Sequence, residues 1–213
     1  MTGGTAVDPV TALQLADWRR ETAALYARAR DQADPAAGHA LWRDGRDQMM
    51  RSHPQSPLPA GDPMRARGVP YWPYDPALRW TVPVEPVSQP QALEIDTGPD
   101  GDGVIRYEQV GWVTFGDPVG RRVALWWLDQ YGGGLFLPLR DASAGTTSYG
   151  AGRYLLDTAK GADLGSAGRE LVVDLNFLYH PSCRYDSRWV CPLAPRDNVI
   201  DVPIQAGERL TQP

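Results

Sequence analysis

The hydrophobic pattern changes period along the chain. Leu15, Trp18, Thr22 and Leu25 recur at spacings of three and four, with Arg19, Arg20 and Glu21 opposite them, as in an amphipathic helix. Asp8-Pro9 precedes this stripe as an acidic N-cap followed by proline at the first helical position, where its missing N–H costs nothing. Asp34-Pro35 repeats the signal for a second helix through Leu41, Trp42 and Met49. Gly45 weakens that second helix by roughly 1 kcal/mol relative to alanine. Both helices read as covers packed on the rest of the chain. The segment 52–70 is a connector in which His53-Pro54, Ser56-Pro57, Leu58-Pro59 and Asp62-Pro63 leave no space for a regular element.

Beyond it the period becomes two. Strands are predicted over 79–84, 91–96, 104–115, 122–130, 135–141, 147–157 and 170–179. Turn signals separate them: Pro99-Asp100-Gly101-Asp102-Gly103, Gly116-Asp117-Pro118, Gly132-Gly133-Gly134, and the stretches 142–145 and 161–168. Short strands at regular spacing with Gly/Pro turns predict a mainly β fold, an antiparallel meander closing into a barrel or curved sandwich. The two N-terminal α-helices pack on it. A parallel sheet would need long helices between strands, and no repeat of 20–50 residues suggests a propeller or solenoid. The chain therefore divides into 1–69, helices and connector, and 70–213, a barrel-like domain. Its proline-rich tail wraps back and ends in a short strand near 199–204.

Composition narrows the class. Gly 22 and Pro 20 make up about a fifth of the 213 residues, against roughly 12% in an average chain. With 42% hydrophobic residues the excess signals tight turns rather than disorder. No apolar run approaches the ~18 residues of a membrane span, and residues 1–17 lack a secretion signal. The formal charge of -5 argues against a nucleic-acid partner, which needs a basic face. A turn-rich cytoplasmic protein without a membrane partner is expected. Lys160 is the one lysine. Coding DNA rich in G and C produces this arginine bias, so guanidinium recognition is considered only for arginines on buried faces.

Strand faces give candidate chemistry. Over 147–157, Tyr149, Ala151, Arg153 and Leu155 share one side, and Gly150, Gly152 and Tyr154 the other. Tyr149 and Arg153 would stand about 13–14 Å apart along the strand, placed for opposite ends of one ligand. Asp174 and Asn176 fall on one side of an otherwise apolar strand, and Arg140 and Asp141 end another. Arg140, Tyr149, Arg153, Asp174 and Asn176 converging inward would make a ligand site, or a structural network in which Arg153 pairs with Asp174. Gly150 and Gly152 would leave a groove beside them.

The chain has three histidines and two cysteines. His39, on a helix, and His53, before a proline, are expected to be solvated. His180, Cys183 and Cys191 offer a weak H-x2-C-x7-C zinc set or a disulfide, but reduced thiols suit a cytoplasmic protein. P-loop, dinucleotide, G-x-S-x-G, H-E-x-x-H and P-C-x-x-C patterns are all missing, and neither cofactor nor metal is implied. Acid–base chemistry by Asp174, Asp141, Tyr149, Tyr179 or His180 is chemically open.

The run Ser148-Tyr149-Gly150-Ala151-Gly152-Arg153-Tyr154-Leu155 resembles the Y-G-x-G-R-Y-L motif of the bacterial and archaeal domain-of-unknown-function family number sixteen eighty-four. A second block matches its D-F-N, Y-N-P-x-C-x-Y, C-P-L-P-P, N and A-G-E succession. It comprises Asp174-Leu175-Asn176, Tyr179, Pro181, Cys183, Tyr185, Cys191-Pro192-Leu193, Pro195, Asn198 and Ala206-Gly207-Glu208. The 52–57 stretch is similar to the family's S-P-L approach. The resemblance runs from about Pro70 to Glu208. Leu175 stands for the usual Phe, His180 for Asn, Ala194 for Pro, and Leu139-Arg140 for Phe-x before Asp141. The resemblance implies that Asp141, Tyr149, Arg153, Asp174, Asn176, Cys183 and Asn198 form one ensemble, and it implies no activity.

The expected function is binding of a small anionic organic molecule in a barrel pocket, with hydrolase- or isomerase-type acid–base chemistry. Arg153 and Arg140 would clamp the anion, Tyr149, Asn176, Tyr179 and Asn198 would complete the ligand site, and Asp174 or Asp141 would be the general base. The alternatives are a non-catalytic ligand carrier, and a structural module meeting a protein partner through Trp72, Trp126, Trp127 and Trp189. Oligomeric state is not legible.

Overall fold

The computed structural model describes residues 8–96, 103–129 and 131–211. Both capping signals operate. Helix α1 (Pro9–Arg30) starts where the Asp8 carboxylate accepts the Thr11 N–H at 2.9 Å, and α2 (Pro35–Ser52) where Asp34 accepts from Ala36 at 3.0 Å. Helix α1 buries Leu25, Tyr26 and Ala29; α2 buries His39, Trp42, Met49 and Met50. Glycine is the contact between them. A Cβ on Gly38 would lie 2.6 Å from the Ala29 carbonyl oxygen, and one on Gly45 2.4 Å from Leu25 Cδ1. Gly45, a local weakness by propensity, is thus what lets the helices approach.

The connector does hold one element, α3 (Met64–Arg67), because the Asp62 carboxylate captures the Met64 N–H at 2.8 Å. Proline punctuation did not exclude a single helical turn.

Strands β1 (Arg79–Pro83), β2 (Ala92–Asp96), β3 (Val104–Thr114), β4 (Arg122–Leu128), β5 (Leu135–Leu139), β6 (Arg153–Asp157), β7 (Ser166–Ala167) and β8 (Glu170–Asp174) form two antiparallel sheets. One has the order β2-β3-β4-β5-β6, the predicted meander; the other is β1-β8-β7. Single bridges join them, Glu85 to Trp112 on one side and Tyr154 to Tyr179 on the other. No continuous ladder closes a barrel among the described residues. The Pro99–Asp102 turn signal and Gln130 lie outside the described residues.

Several predicted strands are shorter. Residues 147–152 are turn, not strand: Ser143 O accepts from Thr147 and Ser148, Gly152 N donates to Tyr149 O at 2.8 Å, and Gly152 takes φ +96. Tyr149 and Arg153 therefore do not share a strand face. After Asp174 the chain turns into a 3-10 segment (Leu175–Phe177), because the Asp174 carboxylate takes the Asn176 N–H at 3.0 Å. The tail strand near 199–204 reduces to one bridge, Val199 to Arg140. β7 lies inside a stretch read as turn.

The helices and β8 contribute to one core, in which Trp42 packs on Phe177 with centroids 4.9 Å apart. A second cluster, with Tyr107, Trp126, Phe136 and Tyr154, lies between other strand positions. Trp126 is thus fully buried rather than a surface contact. His39 and His53 are buried too: His39 Nε2 donates to Asn176 O at 2.8 Å, and His53 Nδ1 accepts the Gln55 N–H at 3.0 Å. A helix face turned inward buries histidine as readily as leucine when one ring nitrogen finds a backbone partner. Among the described residues no helix is long and apolar enough to cross a membrane.

Candidate functional site

Arg153 is fully buried in β6, and its partner is Asp141, not Asp174. Its guanidinium donates to Asp141 Oδ2 at 2.8 Å, to the carbonyls of Ile204 and Glu208 at 2.9 Å, and to that of Ala206. Asp141 Oδ1 accepts from Ser143 N at 2.9 Å and Ile204 N at 3.0 Å. Burial alone would raise the Asp141 carboxyl, but Arg153 and these N–H donors outweigh it and hold its pKa below the ordinary value. The pair thus anchors the C-terminal wrap, and Asp141 remains an engaged anion.

A second buried knot forms around Glu208, which sequence reasoning placed only inside a motif. Arg46 of α2 donates to Oε1 at 2.5 Å, while Oε2 accepts from His180 N at 2.6 Å and the Tyr185 hydroxyl at 2.9 Å. His180 Nε2 accepts the Tyr149 N–H at 3.2 Å, which puts its proton on Nδ1, 3.4 Å from Glu208 Oε2. Burial drives the His180 pKa down to about 4, so the ring is neutral at pH 7. Burial opposes ionisation of Glu208, and Arg46 and His180 overcome it, keeping its pKa low. The predicted Tyr149 and Tyr179 belong here: Tyr149 meets the His180 ring at 6.4 Å between centroids, and Arg46 lies 4.9 Å over Tyr179.

Asp174 and Asn176 are together, as read from sequence, but in a third place. Asp174 Oδ1 accepts from Asn176 Nδ2 at 2.7 Å, and Oδ2 meets the Tyr74 hydroxyl at 3.2 Å and Arg79 Nε at 3.5 Å. Asn176 is saturated by the Asp75 backbone, both groups at 2.9 Å. Asp174, Arg79 and Arg30 line a cavity of about 170 Å3. Burial raises the Asp174 pKa despite those donors. The remaining predicted residues are elsewhere: Asn198 links Trp126 Nε1 at 2.7 Å to Ala124 O at 2.8 Å, and exposed Arg140 donates to Gly150 O at 2.9 Å. Asp141 and Arg153 therefore meet the network of Tyr149 and Tyr179 at Glu208, whereas Asp174 with Asn176, Asn198 and Arg140 make other contacts.

Asp17, Glu21 and His53 could converge on a cation. His53 Nδ1 already accepts the Gln55 N–H, which leaves a proton, not a lone pair, on the Nε2 that faces Asp17 at 3.7 Å. His180 likewise has both ring nitrogens engaged, apart from the thiols.

A cavity of about 420 Å3 opens between α3, the turn at Ser182–Arg184 and the tail. Arg67, Arg184 and Arg209 line it, with Met64, Val69 and Leu210 as apolar wall and His180 and Tyr185 behind. Arg184 lies 5.7 Å over Tyr185 and Arg209 5.0 Å over Trp72. None of the three is ion-paired among the described residues. The Asp62 carboxylate at the edge caps α3. These arginines come from segments far apart in sequence and carried no local signal; Arg46 carried none either.

Among curated proteins nothing matches the chain. The solution NMR structure of an uncharacterized protein from Haloarcula marismortui is similar, with 30% identity and a TM-score of 0.53, covering 79% of this chain and 90% of that one. The family described as Protein of unknown function (DUF1684) matches residues 65–209, the span that carries the Asp141–Arg153 pair, the Glu208 knot apart from Arg46, and most of the arginine cleft. The chain belongs to that family.

Proposed function

We propose that the protein binds a small anionic organic molecule in the cleft of Arg67, Arg184 and Arg209. The observation that carries this is three guanidinium groups without an acidic partner among the described residues, around a cavity of about 420 Å3, in a chain whose net charge is -5. The volume lies in the range of small-molecule sites, roughly 300–1,000 Å3. Planar guanidinium forks suit carboxylate or phosphate oxygens, and the apolar wall suits a carbon skeleton beside them. The neutral His180 and the Tyr185 hydroxyl, held by Glu208, keep the back of the cleft rigid. The two inter-sheet bridges support a barrel-like closure, with this cleft on its outside rather than in its interior.

Thermal-shift titration with citrate and with a sugar phosphate tests the reading. One of them raises the Tm of the native protein, and Arg184→Ala or Arg209→Ala weakens binding about tenfold or more, as expected for a lost charged hydrogen bond. No shift with either anion, and no small molecule retained in native mass spectrometry, would overturn it.

A second reading rests on Asp174. Its raised pKa and its place on a cavity of about 170 Å3 with Arg79 suit a general base for hydrolysis or isomerisation. Asp174→Asn keeps an oxygen to cap Asn176 but removes the base. Turnover by the folded variant would exclude this role.

A further inference from the structure

Cys183 and Cys191 are free, half-buried and adjacent: the Cys183 backbone N–H donates to Cys191 Sγ at 3.3 Å. Cys191 opens onto a separate cavity of about 60 Å3, lined also by Tyr26, Tyr154, Asp157, Lys160 and His180. That volume takes about four water-sized groups. Tyr26 and Asp157 are both buried residues on this cavity.

We propose that Cys191 and Cys183 are a dithiol couple that reduces a small hydroperoxide, Cys191 attacking and Cys183 resolving. The roles follow from asymmetry. The Cys183 thiol and backbone N–H facing Cys191, with Lys160 adding positive charge, lower its pKa against burial, while that of Cys183 is pushed up. The thiolate is the nucleophile. In the first step Cys191 S⁻ attacks one oxygen of H2O2; an S–O bond forms, the O–O bond breaks, and the departing hydroxide takes a proton to leave as water. In the second step the Cys183 sulfur attacks the Cys191 sulfenic acid; the S–S bond forms, the S–O bond breaks, and the leaving hydroxide takes the Cys183 proton as a second water. Two thiols lose two electrons, and the peroxide oxygens gain them.

The chain has only two cysteines, so the product is unambiguous. The full protein is treated with one equivalent of H2O2, denatured, alkylated and weighed. The expected product is a monomer lighter by two hydrogens with no alkylation, formed about tenfold or more faster than in the urea-unfolded chain, where the thiols have ordinary pKa values. Dimedone added with peroxide to Cys183→Ser labels Cys191, whereas Cys191→Ser gives no rapid labelling of Cys183. If a variant fails to fold, iodoacetamide alkylation of the native protein decides instead, with Cys191 reacting first and at a lower pH than an ordinary thiol. Equal rates folded and unfolded, disulfide-linked dimers alone, or first reaction at Cys183 would overturn the proposal.

Discussion

Arg46 Nε sits 2.5 Å from Glu208 Oε1, a carboxylate with no exposure to solvent, and so ties the second helix to a residue 162 positions later. This one contact joins the N-terminal cover to the tail that backs the arginine cleft. Breaking a buried pair from one side leaves an uncompensated charge, which costs about 3–5 kcal/mol. Arg46→Met is expected to lower stability by that much in urea unfolding monitored by tryptophan fluorescence. A loss below about 1 kcal/mol would show the pair to be solvated.

Acid should weaken the fold in two stages. His39 and His180 both have pKa values lowered by burial from 6.5 to about 4. The unfolded chain therefore takes up these protons first as pH falls, and stability declines from about pH 6.5 to about pH 4. The linked free energy is about 3 kcal/mol for each ring. Glu208 and Asp141 shift downward instead, so their contribution persists above the unfolded carboxylate range, near pH 4, and is lost as pH falls further through their folded values. Urea midpoints from pH 8 to pH 3 check this. A flat profile between pH 7 and pH 5 would contradict the buried-histidine geometry, and His39→Gln should remove the part due to that ring.

Arg153→Met is expected to act on the wrap and not on ligand affinity as such. It strands Asp141 and frees the carbonyls of Ile204, Ala206 and Glu208, at a cost of about 3–5 kcal/mol. Hydrogen exchange should show protection lost first over 196–211. Uniform loss across β3 and β4 would mean that the wrap is not a separable unit.

Gly38→Ala reverses the usual sign. Alanine is better than glycine in a helix by about 1 kcal/mol, yet its Cβ would lie 2.6 Å from the Ala29 backbone oxygen. Overpacking of this kind costs about 1–3 kcal/mol, so the variant should melt lower than the native protein by differential scanning calorimetry. A higher Tm would show that the helices can separate freely.

Local rules sufficed for the elements. Both Asp-Pro caps, the period-two run of β3, and the meander order depend on contacts between near neighbours in sequence, and a single chain displays those directly. They failed at 147–152, where hydroxyls of Ser143 and Ser148, 2.9 Å apart, and a left-handed glycine bent a run that alternates like a strand. The same competition turned 175–177 away from β8, because an aspartate side chain can outbid a sheet partner for the next backbone N–H.

The sites obeyed a different logic. From sequence alone came a polar set in which Arg153, Asp141, Asp174 and Asn176 are buried, Tyr149 is half-buried and Arg140 is exposed. Which carboxylate meets which guanidinium was decided by the path of the tail, since the pairing energy depends on a few ångströms that no residue spacing specifies. Arg67, Arg184 and Arg209 gather from three segments only when α3 and the wrap lie side by side, and Cys183 reaches Cys191 only because an intervening loop returns. Chain-local hydrogen bonding and periodicity wrote the helices and strands; long-range packing, which sets distance and solvent exclusion, made the cleft and the thiol pair.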